Sequence, residues 1–516
     1  MADLGFWNQA TATPDRRALV GPDGEEITAG ELMARSNRLA HGLRARGVRP
    51  GDAIATVLPN GVEMIEAYLA AFQTGCYLVP INHHLVGPEI AYIVADSEAR
   101  VLIAHERFAA TCQAAVRETP IDDSCRLAVG DIPGFAPFAT VKEGQPDSLP
   151  EDRSAGQVMN YTSGTTGRPK GVRRALAPFD PDMVGQMYGM FLSMFGIQPE
   201  SDNVHLCGSP LYHTAVLMFT TCSLHFGHAV VVMDKWTPEG CLDAIERCRV
   251  TTSHMVPTQF HRLLALPDDV KKRYDLSSLR CMIHAAAPCP VDVKRRMIEW
   301  WGSVIYEYYA ASEGGGTIVA PEEWLKYPGT VGRAWPSSDV KIFDDGGEDC
   351  PPNQPGTVYM LLGSNDFKYH KDDTKTADNR RDGYFTVGDI GYLNNDGYLF
   401  LCDRKADMII SGGVNIYPAE IESVLLTFPK IADAAVFGIP HEDWGEEVKA
   451  VIEPAEGVVA DEKLAEEINE FCADKLAKYK RPKSIDFIDH MPRDPNGKLY
   501  KRKLRDPYWE GRERAI

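Results

Sequence analysis

The sequence predicts an α/β protein. A large N-terminal domain holds two α/β subdomains with parallel-type sheets plus a small β subdomain, and a small α+β C-terminal domain follows. Three observations predict this. Short β-type runs alternate with helical apolar spacing as far as Tyr306. From Val331 turn residues become frequent and strands dominate. After Asp403 a compact pattern of strands and amphipathic helices runs to the end of the chain.

The elements follow in order. Ala53–Leu58 reads as a strand ended by Pro59-Asn-Gly61, and Val62–Phe72 has helical apolar spacing. Tyr77–Val79 is a strand, Glu89–Val94 helical, and Arg100–Ala104 a strand again. The alternation recurs with Ala229–Met233 as strand, Pro238–Cys248 as helix and Thr251–Val256 as strand. Arg280–His284 then leads into a helix from about Pro290 to Trp301, and Ser303–Tyr306 is a further strand. Asp344-Asp-Gly-Gly347, Pro351-Pro-Asn353 and Asn394-Asn-Asp-Gly397 mark the turns of a β subdomain over 331–403. The C-terminal part has a short apolar run at Asp407–Ile410, a helix at Ala419–Thr427, strands at Asp433–Phe437 and Val448–Ile452, and a helix from Asp461 to Leu476. The expected domains are 1–403 and 404–516, joined by a short connection near Asp403–Ala406.

Composition bounds the class. A chain of 516 residues has room for about two to four domains. With 44% hydrophobic and 25% charged residues it is ordinary globular material. The formal charge of −19 opposes nonspecific binding of a nucleic acid but not of a nucleotide, whose site needs only local positive charge. The twelve cysteines are scattered without zinc-site spacing, which suits small buried residues in a reducing compartment. The N-terminal residues carry no secretory pattern, and no apolar run reaches the roughly 18 residues a membrane span needs. A cytoplasmic enzyme is expected; peripheral membrane contact and a homodimer stay open.

The most informative stretch is Tyr161-Thr-Ser-Gly-Thr-Thr-Gly-Arg-Pro-Lys-Gly-Val172. Glycines let backbone N–H groups approach an anion, hydroxyls donate to phosphate oxygens, and Lys170 adds positive charge. A polyphosphate cradle results, with a surface turn as the competing reading. It is not a Walker loop, because Lys170 is followed by Gly171 rather than by Ser or Thr.

Other segments add chemistry. In Tyr308-Tyr-Ala-Ala-Ser-Glu-Gly314, placed directly past a strand ending near Glu307, Ser312 can bond a phosphate and Glu313 can ligate Mg²⁺. A solvated loop carboxylate is the alternative. His284-Ala-Ala-Ala-Pro-Cys289 offers small side chains or a plain strand-to-helix turn. Asp389 in Gly383-Tyr-Phe-Thr-Val-Gly-Asp-Ile-Gly391 can accept both hydroxyl protons of a ribose, although Gly-Asp also marks turns. Lys498 in Pro492-Arg-Asp-Pro-Asn-Gly-Lys-Leu499 can deliver a point charge to a phosphate, or can begin a basic tail with Lys501, Arg502 and Lys503.

In this order, these segments resemble the adenylate-forming (AMP-binding) superfamily, in its acyl-CoA synthetase or fatty-acid–CoA ligase branch. The resemblance covers nearly the whole chain. It implies activation of a carboxylic acid by ATP to an acyl-adenylate, then transfer to CoA with release of AMP, with Mg²⁺ on the phosphates. It implies that Thr162, Ser163, Gly164, Thr165, Thr166, Gly167 and Lys170 hold the phosphates. Ala285, Ala286 and Ala287 would face the adenine, where the family usually has glycines at the first two. Tyr308, Tyr309, Ala310 and Ser312 would complete the nucleotide site, with Ala310 and Ser312 standing where the family has Gly and Thr. Asp389 and Arg404 would hold the ribose, and Lys498 would be catalytic with Glu313.

A mobile C-terminal domain is implied that rotates between the half-reactions, although Ala406 stands where the usual charged hinge residue would be. Gly412 and Gly413 would line a pantetheine tunnel, Trp444 would stack on CoA, and His213 in Pro210-Leu-Tyr-His-Thr214 would gate the acyl and thiol tunnels. Met183–Phe195, rich in Met and Phe, reads either as core or as the wall of a deformable apolar pocket. The expected substrate is a fatty or other large apolar acid. An aromatic acid, or a carrier-protein thiol in place of CoA, is the alternative.

Overall fold

The structure, a computed structural model, describes residues 3–162, 169–199, 202–311, 314–336, 338–361, 368–372, 376–377, 379–493 and 499–510. The chain forms two compact units. One comprises Met1–Met255, Leu266–Ile283 and Ser364–Asp378, and the other Val256–Ala265, His284–Gly363 and Asn379–Ile516.

The first unit carries the expected parallel sheets. One has six strands in the order Ala136–Pro137, Arg126–Val129, Ala99–His105, Ala53–Val57, Tyr77–Pro80 and Gln157–Val158. Every neighbouring pair in it is parallel. Its central strand Ala53–Val57 is buried along its whole length, as a strand covered on both faces must be. The helix Val62–Gln73 that follows buries almost every side chain. In the second sheet Val204–Cys207 pairs parallel with both Ala229–Val232 and Thr252–Met255, and Ala229–Val232 pairs parallel with Arg17–Val20. The unit also holds a sheet of three short antiparallel strands, Asn160–Thr162, Lys170–Arg173 and Lys368–Tyr369.

The second unit is mostly antiparallel. Ile305–Ala311 and Gly314–Val319 pair as a ladder from Glu307↔Val319 to Ala311↔Gly314. The turn-rich region forms a six-stranded sheet that includes Val340–Phe343, Gly356–Leu361, Asp389–Leu393 and Leu399–Arg404. Beyond it Ile431–His441 and Gly445–Pro454 make a long hairpin. That hairpin packs Val436, Val448 and Ile452 against Ile421 and Leu425 of the helix Pro418–Leu425 and Leu464 and Ile468 of the helix Glu462–Ala473.

Two expectations change. Tyr308, Tyr309 and Ala310 lie inside a strand rather than past its end, because the aromatic pair suits a pleated surface and Gly314–Val319 returns alongside to pair with it. The Met-rich stretch is a helix, Pro181–Ser193, that buries Val184, Gly185, Gly189 and Leu192 but leaves Met183, Met187 and Met190 exposed. These methionines recur at helical spacing on the outer face and are not core. All twelve cysteines are free, and Cys207, Cys222 and Cys241 are buried deeply enough for desolvation to push their thiols up to about 12. Among the described residues no helix is long and apolar enough to cross a membrane.

Candidate active site

In the second unit sheet register brings Tyr309, Asp389 and Arg404 together. Asp389 opens the strand Asp389–Leu393 after Gly388, whose φ of +85° suits glycine. Arg404 ends the antiparallel neighbour Leu399–Arg404, directly opposite Asp389. The Tyr309 hydroxyl donates to Asp389 Oδ2 at 2.6 Å, and Arg404 Nε stands 3.5 Å from Asp389 Oδ1. Asp389 is buried, whereas the Arg404 side chain is 45% exposed. An ionised carboxylate has about four acceptor positions, so this one retains capacity for the two hydroxyls of a diol.

Next to this cluster in sequence is a buried ionic group. Lys294, fully buried on the helix Val291–Trp301, places Nζ 2.6 Å from Glu307 Oε2. His284 Nε2 lies 3.4 Å from the same oxygen, and Lys294 Nζ sits 4.8 Å from the centre of the Trp324 ring. Burial acts to raise the Glu307 carboxyl, but Lys294 and His284 more than reverse this and hold it at about 2. Burial also lowers the His284 imidazole, against the opposing pull of Glu307. Glu307 immediately precedes Tyr308-Tyr309, and His284 immediately precedes Ala285-Ala286-Ala287. Sequence reasoning missed this group. The available signal was a lysine on the apolar face otherwise formed by Val293, Met297, Ile298 and Trp301.

Ala285 is buried, and Ala286 adopts a left-handed φ of +73°, a conformation suited to glycine and strained for alanine. Ala310 pairs with Gly316 across the hairpin. Gly412 and Gly413, with φ of +58° and +78°, turn the chain between Ile409–Ser411 and Val414–Ile416. A Cβ on Gly412 would come within 2.5 Å of the Trp444 ring, so the glycine is needed for this close approach. Trp444 is 58% exposed and its carbonyl accepts from Gly412 N–H at 2.8 Å.

In the first unit the strands flanking the glycine-hydroxyl segment pair antiparallel with Lys170 opposite Thr162. Tyr161 donates to Asp96 at 2.7 Å and Tyr92 to the Pro169 carbonyl at 3.1 Å, fixing both flanks. Lys170 Nζ pairs with Asp372 Oδ2 at 2.7 Å. His213 is half-buried at the N-cap of the helix Thr214–His225, whose first turns leave Thr214, Ala215 and Met218 half-exposed. Phe219 of that helix meets Phe191 at 5.4 Å and stacks on His254 at 5.1 Å between ring centres. Ser163, Gly164, Thr165, Thr166, Gly167, Ser312, Glu313 and Lys498, and the side chain of Thr162, lie outside the described residues. Among the described residues no group of three or more metal-ligating side chains gathers.

Comparison with known proteins then fixes the family. The model of the AMP-binding enzyme matches residues 6–363, and that of the AMP-binding enzyme C-terminal domain matches residues 420–498. The chain is 34% identical to a feruloyl-CoA synthase of Amycolatopsis over 97% of this chain and 98% of that protein. It is 31% identical to a long-chain-fatty-acid–CoA ligase of Mycobacterium tuberculosis over 98% and 99%. Its structure is similar to that of the o-succinylbenzoate CoA synthetase of Bacillus subtilis in complex with its acyl-adenylate intermediate, with a TM-score of 0.80, 29% identity and 97% of both chains covered. The chain belongs to the AMP-binding, adenylate-forming enzyme family and is an AMP-forming acid–thiol ligase.

Proposed function

We propose that the enzyme activates a carboxylic acid with a large apolar body to an acyl-adenylate and transfers the acyl group to CoA. The observation that carries the nucleotide assignment is the buried Asp389 carboxylate, held by Tyr309 and flanked by Arg404, which suits a ribose diol. Two anions, carboxylate and α-phosphate, must meet in the first step, so positioning and charge stabilisation dominate the barrier. We assign phosphate binding to residues 162–167 and Lys170, which exchanges its contact with Asp372 for phosphate oxygens. Adenine is assigned to the surface formed by Ala285–Ala287 and Tyr308–Ala310. Lys498 stabilises the charge that develops in adenylation. Glu313 would hold Mg²⁺, which when bound supplies neutralisation of phosphate charge.

For the second step we assign residues 404–516 as the domain that re-orients, with the Gly412-Gly413 turn along the pantetheine path. Trp444 is an exposed platform for the CoA adenine, since a half-exposed indole held by its own backbone contact costs little to cover. We assign to the acid His213, the N-cap of the helix that carries Thr214, Ala215 and Met218. A second reading is an aryl acid, for which the half-buried Phe191 ring would be a stacking partner where an alkyl chain would only pack. The relatives span aryl and long-chain fatty acids, so neither reading is inherited from them.

The test is acid-dependent pyrophosphate release across alkyl and aryl acids, with and without CoA. The proposal expects AMP and acyl-CoA in equal amounts from one apolar class. AMP release only in the presence of an acyl-carrier protein would contradict the CoA assignment.

A further inference from the structure

Lys501, Arg502 and Lys503 follow Lys498 and read in the sequence as a basic run. The structure divides it. Arg502 and Lys503 are exposed, whereas the side chains of Lys501 and Arg505 are each only 11% exposed, one turn apart on the helix Lys501–Arg505. Arg505 reaches the segment Asp403–Asp407 directly, and Lys501 reaches it through Glu422 of the helix Pro418–Leu425, whose first turn Asp403 binds; Ala406 in this segment stands where the family has a charged hinge residue.

The contacts are specific. Lys501 Nζ pairs with Glu422 Oε1 at 2.8 Å, and the same oxygen accepts from Val436 N–H at 2.7 Å. From the connection, Asp403 Oδ2 accepts from Ala419 N–H at 2.8 Å in the first turn of the helix Pro418–Leu425, which carries Glu422. Burial works to lower the Lys501 ammonium, and Glu422, Asp403 and Asp407 together more than reverse it. Arg505 Nη1 donates to the Ala406 carbonyl at 3.2 Å and lies 3.5 Å from Asp407 Oδ1. Nearby Lys405 reaches the other way, to Asp345 at 2.8 Å, as a solvent-exposed pair that contributes little. On the other side of Lys498, Arg493 clasps Asp433 through two nitrogens, Nη2 to Oδ1 at 2.7 Å. Arg493 also bridges to Leu499.

We propose that Lys501 and Arg505 are positioning residues for Lys498 that tie the helix Lys501–Arg505, next after it in sequence, to the 403–407 connection, supplying from that helix the charge that Ala406 lacks. A two-point tether of this kind prevents the connection from turning without carrying the helix Lys501–Arg505 with it. Charged contacts shielded from water are the ones able to hold such a linkage, because their loss leaves a buried charge unpaired. The inference rests on the reading of Lys498 as the adenylation residue and of 403–407 as the hinge.

The experiment measures the two half-reactions separately in full-length enzyme: adenylation by acid-dependent ATP–pyrophosphate exchange, and thioester formation from preformed acyl-adenylate and CoA. Arg505→Ala and Lys501→Met are expected to lower adenylation about tenfold, the scale of one charge-assisted contact, while thioester formation stays within about twofold of the parent. Arg505→Lys, which keeps the cation, is expected to restore most of the adenylation rate. Asp407→Asn, a change at a half-buried partner that keeps the side chain's size and removes its charge, is expected to shift the same ratio in the same direction. Lys498→Ala is measured alongside. If it leaves adenylation intact, the underlying assignment fails. If it abolishes adenylation while the Arg505, Lys501 and Asp407 variants change both half-reactions in equal proportion, the tether is refuted and the assignment stands.

Discussion

The Tyr309 hydroxyl donates to Asp389 at 2.6 Å, across strands that are far apart in sequence. The contact holds one carboxylate oxygen in a fixed direction while leaving lone pairs for a ligand. Tyr309→Phe removes the donor without changing the ring. The ATP KM is expected to rise about tenfold, in line with losing a hydrogen bond to a charged acceptor, with a smaller change in kcat. Steady-state kinetics at saturating acid and CoA check this, and an unchanged ATP KM would count against Asp389 as the ribose contact.

The Lys294–Glu307 pair gives a stability prediction. Lys294→Met leaves Glu307 buried without its cation and is expected to cost about 3–5 kcal/mol. Lys294→Met combined with Glu307→Gln should recover a large part of that loss, because no buried charge then remains. Because the folded Glu307 carboxyl is depressed to about 2, its contribution is present above the unfolded value near 4.5 and is lost as pH falls through about 2. Urea unfolding of the three forms is the measurement. Equal losses in the single and double variants would mean that the pair is not what the helix Val291–Trp301 relies on.

Much of the fold was legible in the sequence, and the reasons differ by element. The helix Pro238–Cys248 has the bounds its apolar spacing predicts, and in the structure Thr237 caps it, Pro238 opens it and Arg249 ends it in a left-handed turn. The helix Ala29–Ala45 was not identified, although Thr28 and Glu31 form a reciprocal capping box visible as Thr-x-x-Glu. The strands Ile431–His441 and Gly445–Pro454 run past their apolar centres, since pairing continues through polar residues such as Glu446 and Glu447. The nucleotide-site candidates Tyr309, Asp389 and Arg404 were found by motif, but their mutual contact depends on strand register, which no local pattern encodes. Lys294 was passed over because a charged residue at a core position looks like a break in periodicity until its partner is known.

Buried histidines predict acid sensitivity. Desolvation pushes the imidazoles of His205 and His225 down to about 3 and that of His228 to about 4. His225 is held neutral by its contacts too, with Nδ1 accepting from Phe6 N–H at 3.2 Å and Nε2 meeting the Tyr68 hydroxyl at 3.2 Å. Above about pH 6.5 both folded and unfolded forms are neutral and these groups add no pH dependence. Below it the unfolded chain binds protons that the native state refuses, so each group costs about 1.4 kcal/mol per pH unit. Thermal unfolding between about pH 7.5 and 5 should show a midpoint that is level above about pH 6.5 and falls below it. A flat profile would show that these rings protonate without unfolding.

Ala286 offers the opposite kind of test. Its φ of +73° is unfavourable for an L side chain. Ala286→Gly relieves that strain at the cost of added freedom in the unfolded chain. A net gain of about 0.5–1 kcal/mol is expected, read as a higher urea midpoint with an unchanged slope. A loss of stability would mean that the methyl group packs in a way its exposed position does not suggest.

The central claim is that this chain joins an acid to a thiol through an acyl-adenylate, with Lys498 acting in the first step alone. Its most direct test is Lys498→Ala assayed in both half-reactions with the acid identified by the panel. The account predicts that acid-dependent ATP–pyrophosphate exchange falls by about a thousandfold or more, the scale for removing a group that stabilises transition-state charge, while CoA still captures preformed acyl-adenylate at close to the parent rate. Exchange that survives the substitution, or equal loss of both half-reactions, would contradict it.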